Sequence, residues 1–263
     1  MWARRSPWRI FRGFTTTASC CGNAALTMGG DLLFDTWSTA TECMINVPGA
    51  NSHPSSTDGV LYMTPVPPSN VADAGTNIPW PTIFVDNVLF CLTAYNPMGN
   101  TVPHDENVNA NMALEQDILQ LYNDNTNGRG DYIDNNINNS SGVPLAAWWH
   151  SFGFHEQEGW RENGYTLAFP VNKVYDDSDC SASSVVTTVM NLANKYHQAA
   201  IYKFSYDHGV VIREVVYVVD HPNANQQQKQ SSKDVMMIVS KPPSALADRY
   251  WRPSKLSSPE QLL

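Results

Sequence analysis

The apolar residues of this 263-residue chain fall into short runs, and run length limits what the chain can fold into. The run from Val88 to Leu92 is typical, and no run approaches the roughly 18 apolar residues that span a bilayer. Apolar runs of this length, bounded by turn-forming residues, are typical of strands. We therefore expect a folded domain with a substantial core and no membrane partner.

Apolar residues at helical spacing predict two main helices, one over 105–122 and one that begins at Ser183 or Ser184 and ends near 197. The chain between 51 and 81 is dense in Pro, Ser, Asn and Gly, which favours a long surface loop. The predicted fold class is α+β, a single domain with a mixed or antiparallel sheet and two main helices. Strands are predicted at 32–34, 43–47, 82–93, 164–170, 199–204 and 210–219, with an edge strand at 235–239.

The first 22 residues have the composition of a mitochondrial presequence. Four arginines fall in the opening dozen residues, a hydroxyl-rich stretch follows, and the first acidic residue is Asp31. An untargeted basic tail in a cytoplasmic protein is the alternative. We therefore expect a presequence at 1–22, an α+β domain at 23–240 with an Asn-rich loop at 123–142, and a disordered tail at 241–263.

The charge balance argues against nucleic-acid binding. The formal net charge is −9, and cleavage after residue 22 would make it −13 because four arginines would be lost. Nucleic acid is bound by clusters of Lys and Arg, and the sequence has none after Arg12. No phosphate-binding loop, dinucleotide motif or nucleophile elbow is present, and the cysteines lack zinc spacing. We predict no cofactor and no metal site.

Polar residues interrupt the apolar face of the first helix. Asn107, Asn111 and Glu115 lie four residues apart and project toward the core or a cleft. Buried polar groups must be hydrogen-bonded, so this stripe either braces neighbouring backbone or lines a pocket. The sequence alone leaves both alternatives open.

The segment 148–162 carries the side chains best suited to proton transfer or metal binding. His155, Glu158 and Glu162 are the candidate catalytic residues. In an extended segment Glu156 and Glu158 would be neighbours, and such a pair can hold a cation or raise the pKa of one carboxyl group. A solvated acidic loop is the alternative.

Three stretches together resemble the domain-of-unknown-function family 3293, whose members are mostly small bacterial proteins. They are the run Leu92 to Gly99, the helix with Asn107, Asn111 and Leu114, and the run Leu192 to Tyr202. The resemblance covers about residues 83–220. Tyr196 and His197 depart from the family pattern, and either Glu158 or Glu162 can take the position of its central Glu. The family has no assigned activity, so the resemblance implies a fold and site residues but no reaction.

The periodicity and the resemblance agree on four neutral amides as ligand-binding candidates: Asn96, Asn107, Asn111 and Gln198. Amides donate and accept hydrogen bonds but do not titrate, so they orient a ligand or the backbone. We therefore predict a small-molecule-binding domain or small-molecule enzyme with an amide-lined cleft. A non-catalytic interaction module is the alternative. An open pocket at these residues would favour the first function, and a solid core the second.

Overall fold

The fold is an eight-stranded antiparallel barrel. The structure is a computed structural model that describes residues 39–50, 59–66, 79–97, 101–127, 144–157, 159–175, 184–218 and 233–247. The strands are β1 (Thr41–Ile45), β2 (Val60–Pro65), β3 (Asn87–Thr93), β4 (Ala147–His155), β5 (Trp160–Pro170), β6 (Ala200–Asp207), β7 (Val210–Tyr217) and β8 (Lys233–Val239).

The strands follow the order β1-β2-β8-β7-β6-β3-β5-β4 around the barrel, and pairing of β1 with β4 closes it. In the closing pair, Glu42 lies opposite Gly153. Closure removes the open edges that a flat sheet would present to other chains. β8, predicted as an edge strand, lies between β2 and β7.

The predicted α+β class with a mixed or antiparallel sheet and two main helices is therefore wrong, since the architecture is a closed, largely β barrel. Closure depends on contact between β1 and β4, which are far apart in sequence, and local periodicity carries no information on such pairing. The prediction of a loop over 51–81 also fails at β2 (Val60–Pro65). Pro and Ser on both sides of this strand conceal its apolar run.

Both predicted main helices are present; the first is longer than predicted, and the second ends slightly earlier. The helices are α1 (Thr82–Asp86), α2 (His104–Asn127), α3 (Val171–Val174) and α4 (Ser184–Lys195). α2 and α4 cover the outer face of β3, β5 and β6, where Ile118 and Val189 pack against Phe90 and Leu167. None of the helices that the structure describes is long and apolar enough to cross a membrane.

Successive side chains along each strand point alternately to the outer face and to the interior of the barrel. The apolar interior is contributed by residues such as Met44, Leu89, Trp149 and Phe204, each from a different strand. At one end Phe84 of α1 packs into this cluster. We call the opposite end, where β3, β4 and β7 end and β1, β5 and β8 begin, the polar end.

Several sequence predictions lie outside the described residues. These are the presequence at 1–22, the strand at 32–34, most of the Asn-rich loop and the tail beyond 247. The first residues of the segment predicted as a disordered tail include a 3₁₀ turn, Ala245–Ala247. Ala247 is buried, and its carbonyl accepts a hydrogen bond from the Tyr62 hydroxyl at 3.1 Å.

Candidate functional site

Two glutamates face each other across a glycine at the polar end. Glu42 of β1 pairs with Gly153 of β4, which in turn pairs with Glu162 of β5. The three residues form one row across adjacent strands, which lie about 4.8 Å apart. A Cβ atom at Gly153 would lie 3.0 Å from Glu42 Oε1, so the Glu42 carboxyl group occupies the space above the glycine. The absent side chain lets this carboxyl group extend toward Glu162.

Both carboxyl groups have pKa values far above the usual range for glutamate. Burial raises the pKa of Glu42 to about 8, while Arg213 opposes this rise and Glu162 adds to it. Burial also raises the pKa of Glu162 to about 7, and the hydrogen bond from Asn96 opposes the rise. At neutral pH, Glu42 is therefore largely protonated and Glu162 is divided between its two forms.

The Glu42 carboxyl group has unused hydrogen-bonding capacity. Glu42 is 2% exposed, and no donor among the described residues reaches its Oε1 atom. The indole Nε1 of Trp149, an interior residue of β4, likewise has no acceptor within the described ranges. Buried polar atoms without partners are rare in folded proteins and call for an explanation such as a bound water, ion or ligand.

Arg213 supplies the positive charge at this end. It is completely buried, and its guanidinium donates to Asp234 at 3.1 Å and to the carbonyl of Ala40 at 2.9 Å. The same group lies 4.9 Å from the ring centroid of Tyr202. Because Asp234 is opposite Arg213 in the β7–β8 register, the two form a direct cross-strand ion pair. Arg213 is thus directly paired with Asp234, and its positive charge also opposes the rise in the pKa of Glu42.

The other interior groups near the glutamates are neutral at physiological pH. The Cys91 thiol lies 3.1 Å from the Thr166 hydroxyl, and burial raises its pKa far above the usual range. Burial likewise raises the pKa of Tyr202 well above its usual value, with Arg213 opposing this rise and both glutamates adding to it. These shifts show that the two carboxyl groups act on the same part of the interior. The inert, buried state of Cys91 agrees with its position in an apolar run.

Asn96 directs its amide group at Glu162. The Nδ2 atom of Asn96 donates to Glu162 Oε1 at 3.0 Å, and its Oδ1 atom accepts from Asn107 Nδ2 at 3.1 Å. Asn107 Oδ1 accepts from the backbone N–H of Asn96 at 2.8 Å. The donor from Asn107 fixes which way the Asn96 amide points, so that Asn96 must donate to Glu162. Asn96 also has a φ of 46°, a left-handed conformation that Asn tolerates better than most residues.

The two remaining amides bond to the backbone. Asn111 is fully buried, accepts from the N–H of Ala94 at 2.7 Å and donates to the carbonyl of Asn163 at 2.7 Å. Gln198 donates to the carbonyls of Tyr95 and Tyr196, both at 3.2 Å. These contacts attach α2 and the end of α4 to the chain that follows β3. The ligand-binding role of Asn111 and Gln198 stays a prediction.

The candidate catalytic residues occupy different positions. Glu162 lies in the row described above. His155 lies on the same face of β4, two residues beyond Gly153, and its Nε2 atom is 3.1 Å from the Thr39 hydroxyl. Glu158 lies outside the described residues. The polar end thus brings together Glu162, its amide support and, at its rim, His155.

Two pockets lie on other parts of the described surface, and neither is lined by a candidate site residue. One pocket of about 300 Å³ lies beside α3 and the β6–β7 hairpin, and another of similar size lies between α2 and α4. Within the described residues, no three His, Cys, Asp or Glu side chains could hold a metal ion together.

Sequence reasoning missed Glu42 and Arg213. Each has a recognisable signal, because each is a charged residue at a strand position whose side chain, by alternation, points into the core. Arg213 follows Val211 by two residues, and Glu42 precedes Met44 by two. Without knowledge of the closed barrel, the shared interior of these two strands could not be inferred.

Comparison of the chain with protein-family models, curated proteins and solved structures finds no match. The resemblance to family 3293 therefore stays a prediction, and the functional argument depends on the geometry of the polar end.

Proposed function

We propose that this protein binds a small polar molecule at the polar end of its barrel, with Glu162 as the principal contact. The observation that carries the proposal is the support of the Glu162 carboxyl group by Asn96, which Asn107 holds in turn. Side chains fixed in advance lose less entropy when a ligand binds, which raises affinity. The interior of an eight-stranded barrel is either filled by its own side chains or holds one small ligand.

The unused hydrogen-bonding atoms of the interior support the same proposal. Glu42 Oε1 and Trp149 Nε1 are buried polar atoms without a hydrogen-bond partner among the described residues, and a ligand could supply one. A carboxyl group that titrates near neutral pH, such as Glu162, can also accept and return a proton. The site therefore suits general acid–base chemistry on the bound molecule as well as binding.

The competing candidate is a non-catalytic interaction module, in which the amides only brace the chain. The backbone hydrogen bonds of Asn111 and Gln198 favour this candidate. They do not account for the amide of Asn96, which is directed at a carboxyl group.

A thermal-shift screen of the full chain against amino acids, organic acids, sugars, amines and nucleobases tests the proposal. A ligand that binds only the folded state raises the melting temperature by mass action. We expect at least one class to raise it in the wild type, with the shift lost in Glu162→Gln and kept in Glu106→Gln, which alters an exposed residue of α2. A folded wild type that responds to no class, or equal shifts in both variants, would refute the proposal.

A further inference from the structure

Acidic groups outnumber basic ones in the interior at the polar end. The described interior-facing carboxyl and guanidinium groups are those of Glu42, Glu162, Asp234 and Arg213. Arg213 and Asp234 form an ion pair at 3.1 Å and cancel each other. The two glutamates are left without a directly contacting cationic side chain among the described residues.

The glutamate pair is arranged to contact one group from two sides. Glu42 and Glu162 stand on strands either side of β4, and Gly153 between them has no side chain to separate the carboxyl groups. Glu42 Oε1 has no donor within the described ranges, although the residue is 2% exposed. In its ionised form this carboxyl group accepts hydrogen bonds, and a positively charged donor would stabilise that form.

We propose, as an extension of the function proposed above, that the polar end binds a small organic cation whose ammonium or guanidinium group lies between Glu42 and Glu162. Carboxylates bind such groups by short, charge-assisted hydrogen bonds that are about twice as strong as neutral ones. The aromatic rings of Trp149 and Tyr202 line the same interior and suit the organic portion of the ligand.

Binding of a cation at this pair must release protons. At neutral pH the pair retains part of its protons because both pKa values lie near 7 to 8, and a cation stabilises the ionised forms. The affinity for a cation should therefore rise with pH, while the affinity for a neutral molecule should not. The facing groups on other strands are Arg213, Asp234, Cys91, Tyr202 and, at the rim, His155.

Isothermal titration calorimetry on the full chain tests the proposal. The probes are butylamine, methylguanidine and benzylamine, with butanol and benzyl alcohol as neutral counterparts and butyrate and benzoate as acidic ones. We expect the cations to bind at least tenfold more tightly than their counterparts, and at least tenfold more tightly at pH 8.5 than at pH 6. The binding enthalpy at one pH should differ between phosphate and HEPES buffers, which have different ionisation enthalpies, and this difference reports the released protons without any variant.

Four variants locate the effect. Glu42→Gln and Glu162→Gln should each weaken cation binding at least tenfold, whereas Glu106→Gln should leave it unchanged. His155→Gln should retain the pH dependence, because the carboxyl pair and not the imidazole releases the protons.

The outcomes distinguish this inference from the proposed function. If neutral or acidic probes bind as tightly as the amines and Glu162→Gln abolishes their binding, the cation proposal is overturned and the small-molecule function stands. If probes of all three charges fail to bind and the thermal-shift screen is also silent, both proposals fall. Loss of the pH dependence in His155→Gln alone would also overturn the role of the carboxyl pair.

Discussion

Replacement of Asn111 by Ala should destabilise the protein far more than the same change two residues earlier in the helix. Asn111 is fully buried, and its side-chain amide accepts a hydrogen bond from the N–H of Ala94 and donates one to the carbonyl of Asn163. The carbonyl keeps the hydroxyl of Thr93, which donates to it at 2.7 Å, but the N–H loses the Asn111 acceptor. An unsatisfied buried backbone group costs about 1–3 kcal/mol, and loss of the side chain's packing adds to this.

We therefore expect Asn111→Ala to lower the free energy of unfolding by about 2–4 kcal/mol. In a domain of this size, that change lowers the melting temperature by roughly 5–15 °C. Asn109→Ala is the matched control, because Asn109 is exposed on the same helix and its replacement should change stability by less than about 0.5 kcal/mol. Urea unfolding followed by circular dichroism measures both. Equal stabilities within 0.5 kcal/mol would show that the Asn111 amide does not carry the backbone contacts described here.

Three further predictions concern the barrel itself. Gly164→Ala should lower the free energy of unfolding by about 3 kcal/mol or more, because the new Cβ atom would lie 2.2 Å from the carbonyl oxygen of Leu92. Gly159→Ala is the control: it lies in open space with a φ of 67°, so urea unfolding should show a loss of only about 1 kcal/mol. Arg213→Met should lower the free energy of unfolding by about 3 kcal/mol, because it removes one partner of a buried ion pair, and a loss below 1 kcal/mol would contradict that role. The pKa of Glu42 is raised in the folded state, so folding favours the protonated form of this carboxyl group. The free energy of unfolding of the wild type should therefore fall as pH rises from about 4.5 to 8. This group contributes up to about 1.4 kcal/mol of that fall per pH unit. Glu42→Gln should flatten that fall in urea titrations at several pH values, and an unchanged slope would contradict the raised pKa.

Local patterns in the sequence predict most of the strands and both main helices. The run at 43–47 overlaps the last three residues of β1, the run at 210–219 contains β7, and the helix expected over 105–122 lies within α2. The four-residue spacing of Asn107 and Asn111 also places both residues correctly on the buried face of that helix. Periodicity reports which face of an element is buried, so predictions of this kind follow from local sequence alone.

Closure of the barrel and the composition of its interior could not be predicted in the same way. The pairing of Glu42 with Gly153 joins strands more than 100 residues apart, and the row is complete only when β4 also pairs with β5. A single glutamate in a short apolar strand is normally assigned to the solvent-exposed face of a sheet, and only the closed barrel shows that the face of Glu42 is covered. Glu162 can be identified from the sequence because it lies in a segment rich in His and Glu, whereas Glu42 cannot.

The titration of the Glu162 carboxyl group tests the central claim most directly. Carbon-detected NMR of the side-chain carboxyl groups, assigned by comparison with Glu162→Gln, gives its pKa in the intact protein. We predict a midpoint near 7, and a higher one in Asn96→Gly, because that change removes the amide that favours the ionised form while it permits the left-handed backbone. A midpoint between 4 and 5 that Asn96→Gly does not change would show an ordinary solvated glutamate, and the proposed binding site would lose its basis.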